Sequence, residues 1–410
     1  MFRYLFPVFK KYPQLVYFDT ASSSLKPQLM INALTSFYTN NGISIRSQGF
    51  LSNNNILAIQ QIRQKVASFI DAGFAEEIIF TKNTTDALNN LSYILAEQFI
   101  QPGDEIITSE LEHNSSILPW IKIAKQKAAK LVFVPLNSQY QITTENFKKV
   151  LTKKTKIVAL THMSNVLGYL NPIKDITKLA HQKKNVIVIL DAAQSIGHVP
   201  VNVRNLGIDF MAFSTHKMYG PFGLGILYGK KNFLKKLKPL IVGGGSVKDV
   251  EKNRFVLNDL PAKFEAGTPD IGSIIAFGKT LDLLQQIGFS QIQKYEKALL
   301  YKLTKQLNLF KNLEILNPLA INMINFNFSF IHSHDVETFL AQKNIYVRSG
   351  QHCAHLLFKN MKKSSTVRVS LGIHNNEKDI EILVENLYKI EKFFSRILTK
   401  KCKNNVLKVG

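Results

Sequence analysis

Seven short apolar runs constrain what this chain can fold into: EIIFT (77–81), DEIITS (104–109), LVFVPL (131–136), KIVALTH (156–162), VIVILD (186–191), DFMAFS (209–214) and GILYG (225–229). Helix-length segments, such as Thr85 to Phe99 and Pro172 to Lys184, lie between several of them. Strands alternating with helices predict an α/β fold with a mostly parallel sheet covered on both faces. After about residue 255 the pattern changes. A helical segment runs to about residue 310, strands follow near INFNFSF, IYVRS and TVRVSL, and a closing helix spans 377–398. Its Ile380, Leu383, Val384, Leu387, Ile390, Phe394 and Ile397 make one apolar stripe. The expected organisation is therefore an N-terminal arm (1–20) packing on the body, a large domain (21–255), a connecting loop and helix (256–295), a smaller α+β C-terminal domain (296–398) and a basic tail (399–410).

A chain of 410 residues, 45% of them hydrophobic, buries substantial cores and exceeds one ordinary domain. The N-terminus MFRYLFPVFKKYP is apolar and basic, but Arg3 and Pro7 interrupt it and no A-x-A-like cleavage site follows, so it reads as an arm rather than a signal peptide. VIVIL at 186–190 is strand-sized, and no run approaches membrane-spanning length; a soluble cytoplasmic protein is expected. The two cysteines, Cys353 and Cys402, make neither a disulfide framework nor a zinc site. The formal charge of +23 would suit nucleic acid or an acidic partner. Its lysines are scattered, however, arginine is scarce, and no zinc-finger or RNP motif occurs, so codon bias explains the charge more simply and nucleic acid is not expected.

The chemistry converges on FSTHKMYGPFGLGILYG (213–229). Lysine is usually a solvated surface charge, yet here a buried-strand pattern delivers Lys217 to a strand end, where α/β proteins hold ligands. A lysine beside Ser214 and His216, with a glycine-rich turn after it, is the arrangement expected of a Schiff-base lysine. Pyridoxal 5'-phosphate needs an anion opposite its pyridine nitrogen, and Asp191 ends the neighbouring strand. Asn83-Thr84-Thr85 precedes a helix, where free N–H groups and hydroxyls can hold a phosphate. Singly, each has a plainer reading: a strand-end aspartate is commonly a turn residue, and NTT is commonly only an N-cap.

Taken in order, these motifs resemble the pyridoxal-phosphate-dependent cysteine desulfurases of the class V aminotransferase group, in the branch serving SUF-type iron–sulfur assembly. The resemblance runs through YFDTASSSLKP, TKNTTDALN, LEHNSSILPW, NVLGYLNP, LDAAQSIGHVPV, FSTHKMYGPFGLGILYG, FEAGTPD, RSGQHCA and TVRVSLG. It implies a fold type I PLP-transferase with the two domains described above. It further implies that Lys217 bonds the cofactor and moves the Cα proton, Asp191 pairs with the pyridine nitrogen, Gln194 contacts the phenolic oxygen and His113 stacks on the ring. By the same resemblance Thr84, Thr85, Ser214 and His216 bind phosphate, while Thr268 reaches the phosphate of a second subunit in a homodimer. Asn165 and Arg368 would hold the carboxylate of L-cysteine, a task suited to arginine's planar fork. Cys353, on a polar loop with Arg348 and His352 beside it to favour a thiolate, would take the sulfur as a persulfide and pass it to an acceptor protein, with release of alanine. Cys402, in TKKCKNN, is expected to be an incidental tail thiol.

The chain departs from the family pattern in two places. ISIRSQGFLS keeps Arg46 but has Ile45, Ser47 and Gly49 where the family shows an H-R-G-x-H run. Gln351 stands where the branch has the first of two histidines before the cysteine. The alternatives to an L-cysteine desulfurase are a selenocysteine lyase or related class V enzyme, and a non-catalytic basic binding protein. Delivery of sulfur to tRNA thiolation stays open at this point.

Overall fold

The computed structural model describes residues 2–318 and 320–406, with side chains up to residue 398. The side chain of Cys402 thus lies outside the described residues. The chain divides into two compact units, the first made of Met1–Ser22, Asn165–Tyr169 and Ser290–Gly410, the second of Ser23–Ser164 and Leu170–Phe289.

The second unit holds the α/β fold. Its sheet of seven strands runs, in spatial order, Ile78–Thr81, Gly225–Gly229, Phe210–Ser214, Ile187–Asp191, Thr155–Thr161, Glu105–Thr108 and Lys130–Phe133. Gly225–Gly229 is antiparallel to both neighbours, while the pairings from Phe210–Ser214 outward are parallel. Central strands rich in Val, Ile and Leu are buried along their length, as strands covered on both faces must be. Register sets Thr161 beside Asp191, Asp191 beside Ala212, and Ser214 beside Gly225. The carboxyl ends of the parallel strands therefore collect the polar residues at one edge. Ile106, Ile157, Ile189, Phe210 and Leu227 from the sheet join Leu88, Leu91 and Leu95 of helix Thr84–Phe99 in one core cluster.

The first unit has an antiparallel sheet in the order Leu313–Ile315, Met323–Phe328, Thr366–Ser370, Arg348–Gly350. The described residues up to Ser22, of which 1–20 were expected as an arm on the body, are built into this unit. Val16–Tyr17 pairs in parallel with Ile345–Tyr346, Phe6 and Phe9 pack their rings against His374, and Arg3 bonds Asp379 at 3.0 Å. Asn165–Tyr169, expected within the large domain, also belongs here. The amide of Asn317 donates to Leu167 O (3.1 Å), Ile321 N donates to Gly168 O (3.1 Å), and Asn325 Nδ2 bonds the carbonyl of Val166. The closing helix runs Glu377–Val406, past the expected end at 398, since no glycine or proline interrupts it. Ile380, Leu383 and Leu387 of its stripe are fully buried.

The hairpin Val247–Glu251 with Arg254–Leu257 escaped the sequence reading because it has almost no buried face and hence no alternation to detect. Among the described residues no helix is long and apolar enough to cross a membrane.

Candidate active site

Within the second unit, most of the predicted cofactor residues lie on turns that follow carboxyl ends of strands. Lys217 ends a single 3-10 turn, Thr215–Lys217, directly after the buried strand Phe210–Ser214. Two glycines make the turn possible. A Cβ on Gly220 would stand 2.8 Å from Thr215 Cβ, and one on Gly225 would stand 2.5 Å from Asn83 Cα. The second approach lets the Asn83-Thr84-Thr85 loop lie on the strand beside Ser214. Thr84 N donates to Ser214 Oγ (2.7 Å), and the two hydroxyls share a bond of 2.6 Å. Asn83 caps the helix by accepting from Asp86 N, leaving the preceding amides at a helix N-terminus.

His216, in the same turn, is pushed down to about 4 by burial and by the neighbouring charges of Lys217 and Lys26, so its ring is neutral. Its Nδ1 is buried with no hydrogen-bond partner. Asp191 is buried and its Oδ1 accepts from Ala193 N at 2.9 Å. Burial raises its carboxyl, while the charge of Lys217 pulls in the opposite direction. An unpartnered buried ring nitrogen, clustered hydroxyls at a helix N-terminus and a buried carboxylate suit the two ends of pyridoxal phosphate, an anion and a pyridinium. Gln194 is buried in the turn after Asp191.

His113 is the N-cap of helix Asn114–Gln126, and its Nδ1 accepts from Ser115 N at 3.1 Å. That bond places the ring proton on Nε2. Ser115 Oγ also meets Thr85 Oγ1 at 2.7 Å, so the loops carrying His113 and Thr85 share one hydroxyl. Thr268 is exposed. Next to it in sequence, the carbonyl of Gly267 accepts from Arg46 Nη2 (2.9 Å), which also holds Gly244 O (2.8 Å). Arg46 thus organises this loop although its neighbours depart from the family pattern.

The remaining predicted residues sit in the first unit. Arg368 is buried on Thr366–Ser370. Its Nη1 donates to Asn165 O (2.9 Å), and its Nη2 reaches Asp19 Oδ1 and Ser22 Oγ (both 3.1 Å). Its Nε is buried without a partner, a donor left over for an incoming carboxylate. Asn165 Nδ2 donates to His352 O at 2.7 Å, tying the same corner to the cysteine loop. In that loop Cys353 is exposed, and both His352 (φ 49°) and Cys353 (φ 56°) are left-handed. Two successive non-glycine residues in that region hold local strain at the turn that carries the exposed thiol. Gln351 braces the loop by donating to Ser364 O (3.1 Å).

One expectation is corrected. His352, with Arg348, was expected to favour the Cys353 thiolate, which as a histidine it would do by charge only when protonated. Instead it is buried, bonds Thr366 Oγ1 through Nε2 (2.9 Å), and is held well below the usual histidine range by burial and by Arg368 and Arg348. It is neutral near pH 7, so the positive charge around Cys353 comes from the arginines.

Sequence reasoning missed three groups at the large unit's site, two buried and one, Lys26, half-buried. Glu112 accepts from Ser109 Oγ (2.7 Å), Ser116 Oγ (3.1 Å) and Thr161 N (3.0 Å), bracing the turn that carries His113; burial pushes it up to about 8. His162, driven down to about 4 by burial, bonds Ser195 Oγ at 2.9 Å. Lys26 bonds the carbonyl of His216. The only signal was a titratable residue inside a stretch quoted for another reason: Glu112 in LEHNSSILPW, Lys26 in YFDTASSSLKP and His162 at the end of KIVALTH.

Comparison with known proteins gives one answer. The profile of the aminotransferase class V family matches residues 16–383. A probable cysteine desulfurase of Halalkalibacterium halodurans is 38% identical over 388 residues, covering 93% of this chain and 95% of the relative. A cysteine desulfurase of Yersinia pseudotuberculosis is 37% identical, covering 92% and 94% respectively. Among solved structures, a cysteine desulfurase from Escherichia coli superposes with a TM-score of 0.90 at 32% identity, over 96% of this chain and 98% of that one. The structure of a cysteine desulfurase from Thermococcus onnurineus gives 0.90 at 33% identity, over 95% and 97%. With its family profile, its relatives and its fold in agreement, the chain belongs to the class V aminotransferases, among the proteins named cysteine desulfurase.

Proposed function

We propose that this chain is a pyridoxal-phosphate-dependent L-cysteine desulfurase, a sulfurtransferase that converts L-cysteine to L-alanine and carries the sulfur on Cys353. The observation that carries this reading is the pairing, within one unit, of an exposed cysteine on a strained turn with a buried arginine fork that has an unused donor. A class V enzyme that only moved amino groups would have no use for that thiol. The same pairing favours a sulfur-taking reaction over a passive basic binding protein.

The residues divide the work. Thr84, Thr85, Ser214 and His216 would hold the cofactor's phosphate, Asp191 would pair with its pyridine nitrogen, Gln194 would contact its phenolic oxygen and His113 would stack on its ring. When bound, pyridoxal phosphate supplies an electron sink for negative charge at the substrate's Cα. Arg368, oriented by Asp19 and Asn165, binds the carboxylate of L-cysteine. Lys217 Nζ takes the Cα proton as general base. The Cys353 thiolate attacks the substrate's sulfur; a sulfur–sulfur bond forms as the Cβ–sulfur bond breaks, and the electron pair left on Cβ is protonated to the methyl group of alanine.

We read the setting as a cytoplasmic homodimer in which exposed Thr268 serves the second copy's phosphate site, with an acceptor protein of SUF-type iron–sulfur assembly receiving the sulfur. The test is mass spectrometry of the purified protein after brief exposure to L-cysteine. One added sulfur is expected on the peptide containing Cys353, and none there in Lys217→Ala. A cofactor-loaded protein that shows no such sulfur would refute the reading.

A further inference from the structure

The carbonyl oxygen of His216, the residue before Lys217, collects four donors from one short segment. Ser24 N (2.9 Å), Ser24 Oγ (2.8 Å), Ser23 Oγ (3.2 Å) and Lys26 Nζ (3.1 Å) all reach it. Ser24 Oγ also accepts from Tyr219 N at 2.5 Å, so the segment grips the chain on both sides of Lys217. A carbonyl has two lone pairs, and the serine donors alone satisfy it. Lys26 is therefore not needed to complete the hydrogen bonding.

Its own surroundings make the placement more telling. Lys26 has no carboxylate partner among the described residues. Its ammonium lies 4.4 Å from the centroid of the Phe222 ring, and Phe222 stacks on His216 with centroids 5.5 Å apart and planes 19° apart. Its charge and that of Lys217 both act on the imidazole of His216, which lies between them in the sequence of contacts. An unpaired, mostly buried ammonium is unfavourable unless a neighbouring function uses it.

We propose that Lys26 is a positioning residue for Lys217: it holds the His216–Lys217 peptide in register and keeps a second positive charge beside the nitrogen that bonds the cofactor. This rests on the reading of Lys217 given above. Like charges disfavour each other's protonation, so a cation at position 26 keeps the Lys217 nitrogen readier to act as a base. Burial pushes Lys26 itself down to about 7, which puts the loss of its charge inside the neutral range.

The experiment compares cofactor-loaded wild type, Lys26→Met, Lys26→Arg and Ser24→Ala. Four quantities are read: borohydride trapping of the cofactor on the Lys217 peptide, the pH midpoint of the cofactor's visible absorbance, and kcat and KM for L-cysteine. Lys26→Met is expected to trap normally, to move the midpoint upward by about half a pH unit or more, and to lose kcat roughly tenfold with little change in KM. Lys26→Arg, which keeps both donor and charge, should restore both. Ser24→Ala, which loosens the grip without removing a charge, should lower kcat and leave the midpoint in place; it also tests the positioning role should Lys26→Met fail to fold. A Lys26→Met enzyme with wild-type midpoint and kcat, an arginine variant that rescues neither, or a Ser24→Ala enzyme with unaltered kcat overturns the proposal. Failure of the wild type to trap at Lys217 would instead overturn the cofactor reading beneath it.

Discussion

Arg368 shows how much one side chain can decide. Its fork is held at three points, by Asn165 O, Asp19 and Ser22, and the remaining Nε has no partner. A lysine keeps the charge but cannot reproduce that planar geometry. Arg368→Lys is therefore expected to raise KM for L-cysteine about tenfold or more, with a smaller change in kcat, in steady-state assays. His374 makes a prediction about pH. It is fully buried, its Nε2 donates to Tyr17 O (3.0 Å), and burial holds it down to about 4. In the unfolded chain a histidine protonates near 6.5. Between those values the unfolded chain binds the extra proton, so the stability is intact above about pH 6.5 and drains away as pH falls toward 4. Melting temperatures of wild type and His374→Gln should therefore converge as the pH is lowered through that window; parallel curves would show that His374 does not titrate as described.

At the scale of elements, the site depends on two loops meeting at the carboxyl ends of the two strands that flank Gly225–Gly229. Gly225 opens the strand that pairs with both Ile78–Thr81 and Phe210–Ser214, and its missing side chain admits the backbone of Asn83. In Gly225→Ala the new methyl group would press on main-chain atoms at 2.5–2.8 Å, which cannot rotate away. The variant should lose about 1–3 kcal/mol of stability in denaturant melts. It should also retain pyridoxal phosphate less tightly on dialysis, because the Thr84–Ser214 pair moves with the loop. Strong retention in a destabilised variant would separate the packing role from the phosphate role.

For the whole molecule, the charge of +23 is the feature that the site does not absorb. If the acceptor is acidic, long-range attraction speeds encounter and is screened within about 10 Å at 0.1 M salt. The rate of sulfur transfer from persulfidated enzyme to acceptor should then fall as ionic strength rises, while persulfide formation from L-cysteine stays nearly constant; a salt-insensitive transfer rate would assign the charge to composition alone. Much of this protein was legible before any coordinates. The alternation of apolar runs determined the α/β sheet, since buried parallel strands must be apolar along their length, and motif order singled out Lys217, Asp191 and Cys353 as the residues proposed for the chemistry, because that chemistry demands those residue types. Local sequence could not show that residues 1–22 and Asn165–Tyr169 join the unit carrying Cys353, since those contacts link positions hundreds of residues apart. Nor could it tell that His352 is neutral or that Lys26 reaches the turn of Lys217, because burial and partner distance exist only once the chain has folded.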